Sequence, residues 1–193
     1  MTIRDLASER LFVEFPLRAG QTLALTHNQA HYLLNVLRLA SGDRLLVFNG
    51  IDGEWQAEIT NVKKRSAELQ LITCVRPQCD GPDIDYIFAP LKRARLDYMI
   101  QKAVEMGVAR LRPILTHRTV AERVNLDRMR ANAVEAAEQC GILRVPEITP
   151  VLTLDKLIAG WEEGRTLIFC DEAEKATPPL EALGPLPHGP TAI

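Results

Sequence analysis

Three groups of side chains in this 193-residue chain are of types that do chemistry. The densest is basic. From Lys92 to Arg130 ten Lys and Arg side chains stand against four acidic ones, a net +6, whereas residues 131–193 sum to −6 and residues 1–80 to zero. A local positive field on a protein of net charge −2 attracts a polyanion such as nucleic acid. Helices that carry Lys and Arg on a solvated face are the plain alternative. The second group is Thr116-His117-Arg118, directly after an apolar run, and ligands of open α/β sheets gather outside the carboxyl ends of the strands. The third is Glu135-Ala136-Ala137-Glu138-Gln139-Cys140-Gly141 with Arg144 beyond it. There small alanines permit close packing and polar groups collect at a helix end, although a capped helix would read the same. Gln101 and Glu105, four apart, support a helix, and His31 beside Tyr32 fits a surface or capping role.

Other chemistries lack their anchors. Cys74, Cys79, Cys140 and Cys170 form no C-x-x-C pair, and His27, His31, His117 and His188 are scattered, so no metal site is expected and the thiols read as reduced. There is no G-x-G-x-x-G, no P-loop and no G-x-S-x-G. No apolar run approaches the roughly 20 residues that a bilayer span needs. Arg4, Asp5 and Glu9 break up the N-terminus where a secretory signal would be apolar, which leaves the cytoplasm as the default compartment.

The elements that must position these groups fall into two sets. Leu11–Glu14, Thr22–Leu25, Arg44–Phe48, Trp55–Val62 and Ala67–Val75 read as short strands. The spacing of Ala30, Leu33, Leu34 and Leu37 predicts a helix over 27–37 behind Thr26 as N-cap. Asn49-Gly50 and Asp52-Gly53 predict tight turns, and Lys63-Lys64-Arg65-Ser66 a charged one. Short strands with one helix predict a small β-barrel over 1–75. Two prolines and a glycine mark a linker at 76–83. Beyond it strands at 84–89, 109–115 and 166–170, with a weaker one at 147–150, alternate with helices at 94–106, 126–140 and 154–161. That pattern predicts an α/β domain with a mainly parallel sheet over 84–193. A domain of about 110 residues that stops at Thr191-Ala192-Ile193, the opening of another strand, would leave a bare edge, so a longer natural chain is expected.

Several separated segments resemble one family in order and spacing. His31-Tyr32-Leu33-Leu34-Asn35-Val36-Leu37-Arg38-Leu39, Ser41-Gly42-Asp43 and Phe48-Asn49-Gly50-Ile51-Asp52-Gly53-Glu54-Trp55 resemble the N-terminal PUA-like barrel of the small-subunit (16S) ribosomal RNA uridine-N3 methyltransferases. Leu91-Lys92, Gln101-Lys102-Ala103-Val104-Glu105-Met106-Gly107-Val108, Pro113, Thr116-His117-Arg118, Glu135 to Gly141 and Arg144-Val145-Pro146-Glu147 are similar to that family's catalytic domain. The resemblance runs from Arg10 to about Asp171. It implies a β plus α/β fold, a PUA-like barrel followed by an incomplete SPOUT domain of the trefoil-knot type. It also implies a homodimer, S-adenosylmethionine as cofactor, and ribosomal RNA or the small subunit as partner, with no membrane. The family continues past a strand like Thr191–Ile193 into a Gly-Pro-Glu-Gly-Gly type loop and a knot segment. The cofactor pocket is therefore expected largely in that segment, and these 193 residues alone are expected to be inactive.

Methyl transfer to uridine N3 requires loss of the imide proton and in-line placement of the nitrogen, so the work is positioning and charge stabilisation. The resemblance assigns Lys102, Arg118 and Arg144 to the RNA side, and Glu138 and Gln139 to orienting the base or the cofactor edge. It assigns Arg10, His31 and Arg38 of the barrel to gripping RNA. Ile142 stands where many relatives carry arginine, and no general base is identified. Two other readings stay open: a non-catalytic RNA-binding or ribosome-binding module without the knot, and a SPOUT enzyme acting on ribose or transfer RNA.

Overall fold

A computed structural model describes residues 9–119, 124–171, 173, 178, 181, 183–184 and 188–193. The chain divides into two compact units, residues 1–80 with 137–144, and residues 81–136 with 145–193. The segment 137–144 thus groups with the first unit, and not with its sequence neighbours.

In the first unit the strands are β1 (Arg10–Phe12), β2 (Thr22–Ala24), β3 (Arg44–Phe48), β4 (Glu54–Lys63) and β5 (Ser66–Arg76). They form one sheet in the order β1-β3-β4-β5-β2, with β1 parallel to β3 and the other pairs antiparallel. Alternation decides which face is apolar. Leu45 and Val47, Ala57 and Ile59, and Ala67, Leu69 and Leu71 point inward to one cluster, joined by Leu11, Leu23 and Leu33.

Helix α1 (His27–His31) begins where Thr26 and Gln29 close a capping box, each side chain serving the other's backbone. It does not run on to Leu37 as its spacing predicts. A π-helical turn, Tyr32–Val36, follows, with the Leu37 N–H reaching back 2.9 Å to Tyr32 O. The wider turn keeps Leu33 in the core and leaves Val36 more than half exposed. Arg38 then ends the segment in the left-handed region, at φ 58°. Asn49 organises the next turn by accepting the Ile51 and Asp52 N–H groups, while Asp52 accepts the Leu17 N–H at 2.9 Å. That amide, with the Asn49 side chain, holds the Asp52 carboxyl below its ordinary range.

The second unit carries a parallel sheet in the order β10-β11-β6-β7-β8, made of β6 (Ile84–Phe88), β7 (Arg110–Leu115), β8 (Glu147–Ile148), β10 (Thr166–Leu167) and β11 (Thr191–Ala192). A short β9 (Leu152–Thr153) also pairs with β7. Helix α2 (Arg93–Glu105) buries Ile100, Ala103 and Val104 and stops at Gly107, φ 81°. Helix α3 (Leu126–Cys140) buries Met129, Ala133, Ala136 and Ala137, and α4 (Leu154–Ala159) buries Leu157. Two elements are shorter than their apolar runs predict. The strand at 166 is the two residues Thr166–Leu167, paired with Thr191 and Ala192, and α4 ends at Gly160.

An ion cluster locks the amino ends of these strands. Asp85, fully buried, accepts from Arg110 Nε at 2.6 Å and Arg112 Nη1 at 2.9 Å. Arg165, equally buried, donates to Thr191 O, Asp83 and Glu162. Burial presses the Arg165 guanidinium toward its neutral form, and the hydrogen bonds to Glu162 and Asp83 outweigh it, so its pKa is raised.

Gly53 offers the sharpest test of the first unit's geometry. It sits at φ 83°, and an added Cβ would lie 2.4 Å from Arg76 O. The change Gly53→Ala is expected to destabilise the protein by about 1–3 kcal/mol, the usual cost of one such strained residue. It is read as a lower urea midpoint at unchanged m-value.

Candidate nucleic-acid interface

The first unit builds its polar centre around Arg10. Its Nε lies 2.5 Å from Glu54 Oε1, and both side chains are less than a tenth exposed. Its Nη groups donate to the carbonyls of Ala137, Glu138 and Ile142, and its guanidinium lies over the Phe48 ring. Arg76 adds a bond of 2.6 Å to Gly141 O and a 3.4 Å ion pair with Glu54. The last carbonyls of a helix lack partners within it and carry partial negative charge, so two guanidiniums are well matched to the end of α3. Glu138 completes the tie by accepting the Phe12 N–H at 2.8 Å.

This placement redistributes the residues singled out in the sequence. Arg10 gives its donors to protein acceptors, and a Glu138 carboxylate oxygen serves a backbone amide. Around them Gln139 is exposed and Arg144 half-buried. His31 and Arg38 of the same unit are exposed. His31 lines a cavity of about 500 Å³ together with His27, Lys64 and Arg65, which the sequence presents only as a charged turn. Arg38 is not among the residues lining it. No sequence signal joins these four residues, because the pairing that brings them together is long-range.

In the second unit Thr116, His117 and Arg118 follow the carboxyl end of β7 and are exposed. Thr119 Oγ1 accepts the Thr116 N–H at 2.7 Å and so shapes the turn. Lys102 lies 2.7 Å from Glu105 and 5.5 Å from the centre of the Tyr98 ring, which offsets part of its charge. The starts of α2 and α3 flank a larger cavity of about 1120 Å³, with Lys92, Arg93, Asp97 and Arg128 in its wall. Asp97 accepts from Arg128 at 2.6 Å and from Asn132 at 2.7 Å. The Arg128 bond foremost, and then Asn132, hold the Asp97 carboxyl below its ordinary range.

Two outcomes follow from these geometries. Arg10→Ala takes from the buried Glu54 its nearer partner, leaves it Arg76 at 3.4 Å, and is expected to cost about 3 kcal/mol, the lower end of the usual cost of breaking a buried pair. Amide hydrogen exchange over 137–144 should speed up with it. A carboxyl whose folded pKa is depressed adds stability above its unfolded value, near 3.9 for Asp, and that stability is lost as pH falls through the lower folded value. Asp97→Asn should therefore lower stability at neutral pH and flatten its acid-side decline, read by thermal melts from pH 7 to pH 2.

Comparison with known proteins places this geometry in context. Residues 25–72 match the family model described as an RNA methyltransferase PUA domain, and residues 79–190 the one described as an RNA methyltransferase domain. The chain is 26% identical over 167 residues to ribosomal RNA small subunit methyltransferase E of Rickettsia conorii, covering 86% of this chain and 68% of that protein. It is 31% identical over 140 residues to the Synechocystis protein of the same name, covering 71% of this chain and 46% of that one. The fold superposes on the Neisseria gonorrhoeae small-subunit methyltransferase E bound to S-adenosyl methionine with a TM-score of 0.82 at 24% identity, over 95% of this chain and 77% of that one. A Legionella pneumophila protein solved with the cofactor SAM gives 0.78 at 26% identity, over 87% and 72%.

Proposed function

This chain belongs to the RNA methyltransferase family, and from that premise we propose that it serves the S-adenosylmethionine-dependent methylation of uridine N3 in small-subunit ribosomal RNA. The observation that carries the reading is the succession of a PUA unit and an RNA methyltransferase unit over residues 25–190, together with the likeness to proteins named ribosomal RNA small subunit methyltransferase E. The choice of uridine N3 rests on the motif resemblance. A homodimer and a cytoplasmic location belong to the same reading. Among the described residues no helix is long and apolar enough to cross a membrane.

S-adenosylmethionine supplies, when bound, a methyl group on a sulfonium. Ligands of a parallel sheet sit at the carboxyl ends of its strands, and there β10 and β11 lead into Ile168, Phe169 and Ile193. Phe169, 80% exposed, could wall a purine ring. None of these three offers a charged or amide side chain to a methionine carboxylate and ammonium. The polar and charged side chains at this end of the sheet are Thr116, His117 and Arg118, which follow β7.

The chain's own residues supply positioning. In this reading Arg118, exposed on the turn after β7, meets a phosphate or a base edge, and the half-buried Arg144 and exposed Gln139 of the first unit serve the RNA side from the segment that Arg10 clamps. Glu138 acts through the backbone of Phe12, as a positioning residue, and Lys102 contributes a charge moderated by Glu105. For such groups the energetic contribution is pre-paid orientation.

The test is transfer of labelled methyl from S-adenosylmethionine to small ribosomal subunits by the full-length protein, followed by nucleoside analysis. Label in 3-methyluridine is the expected result. Label on ribose or on transfer RNA would overturn the assignment, and rRNA binding without any transfer would favour a non-catalytic binding module. Arg118→Ala should weaken rRNA binding uniformly across sequences and reduce the slope of log affinity against log salt by about 1.

A further inference from the structure

The cavity between α1 and the β4–β5 turn is lined mostly by basic, imidazole and amide side chains. Four of its lining side chains are His27, His31, Lys64 and Arg65, a fifth is the amide Asn35, and no carboxylate is among them. Its floor is Ala30 and Leu34. About 500 Å³ is far larger than a single water requires and suits a phosphodiester with part of its sugar.

The fold aims these groups at one another by three connections. Leu25 donates its N–H to Ala67 O at 3.1 Å, which starts α1 beside the first residues of β5. The β4–β5 register shifts between Thr60 and Lys63, where Asn61 takes φ 48°. Such a bulge bends a hairpin and re-aims its turn. Asn61 Nδ2 fastens the bend to Glu68 Oε2 at 2.6 Å, and His27 Nδ1 lies 3.4 Å from Arg65 O across the cavity mouth. The hairpin tip is thereby held against the helix, its two cations over a walled space.

We propose that this cavity is a binding subsite for an RNA phosphodiester, with Lys64 and Arg65 supplying the charge and His27, His31 and Asn35 the hydrogen bonds. It rests on the reading of the chain as an RNA methyltransferase and gives the first unit a specific point of grip. Arg38, outside the cavity, is not part of it. A positive wall of flexible and imidazole side chains recognises backbone charge and not base identity, so the subsite fixes register on the RNA without reading sequence.

The experiment compares the full-length protein with its Lys64→Ala/Arg65→Ala variant, measuring the affinity for naked small-subunit rRNA and for intact subunits from 50 to 300 mM salt. Thermal midpoints verify folding, since both side chains are exposed. The expected result is an unchanged melt, about tenfold weaker binding to both RNAs at the lowest salt, and a slope of log affinity against log salt smaller by about 1 to 2, one released counterion per lost phosphate contact. Wild-type affinity and slope in a folded variant would overturn the proposal while leaving the methyltransferase reading intact. Loss confined to intact subunits would overturn it too, by assigning the patch to an acidic ribosomal protein. Failure of the wild-type protein itself to bind rRNA would remove the functional reading on which the proposal rests.

Discussion

A guanidinium taken out of water has to be matched donor by donor, and in the first unit that requirement falls on Arg10. Its partners come from distant parts of the chain: Glu54 at the start of β4, the Phe48 ring at the end of β3, and the carbonyls of Ala137, Glu138 and Ile142 at the end of α3. A buried ion pair adds little net stability when compared with an apolar replacement, but breaking it is costly. The consequence is geometric. β1 is only three residues long, yet its first side chain cannot be satisfied unless β3, β4 and the segment 137–144 are all in place. Gln139 and Arg144, which belong to the proposed RNA side, stand on that same segment.

The charge count of the second unit has to be discounted in a related way. Of the basic residues between Lys92 and Arg130, Arg110 and Arg112 are engaged with Asp85, Arg128 with Asp97, and Lys102 with Glu105. Among the described residues, what faces solvent with the most freedom is a smaller set, Lys92, Arg93, Arg95 and Arg118. The pairs with Asp97 and Glu105 are already inside the net +6, and Asp85 takes one further charge from it. These free cations gather at the start of α2 and on the turn after β7.

Much of the fold is legible in the sequence because local rules decide it. Alternating Leu45 and Val47 identify β3, Thr26 with Gln29 starts α1, Asn49-Gly50 makes a turn, and the periodic apolar face of 126–140 is the observed α3. The rest is decided by partners far along the chain. The π-helical turn after His31 is invisible to a count of apolar spacing, since Leu33 is buried in either form. An arginine at position 10 reads as a phosphate ligand until Glu54, 44 residues later, is found beside it. Lys64 and Arg65 read as an ordinary solvated turn until the Leu25–Ala67 bond and the bulge at Asn61 bring them to His31. The resemblance to a family located the units and the motif segments, while the division of labour among the basic side chains needed the three-dimensional contacts.

The most direct measurement of the central claim is the nucleoside content of small-subunit rRNA from cells with and without the gene for this protein. The account predicts that deletion removes 3-methyluridine from that rRNA, leaves the other methylated nucleosides in place, and is reversed by the restored full-length protein. Undiminished 3-methyluridine in the deleted strain would contradict it.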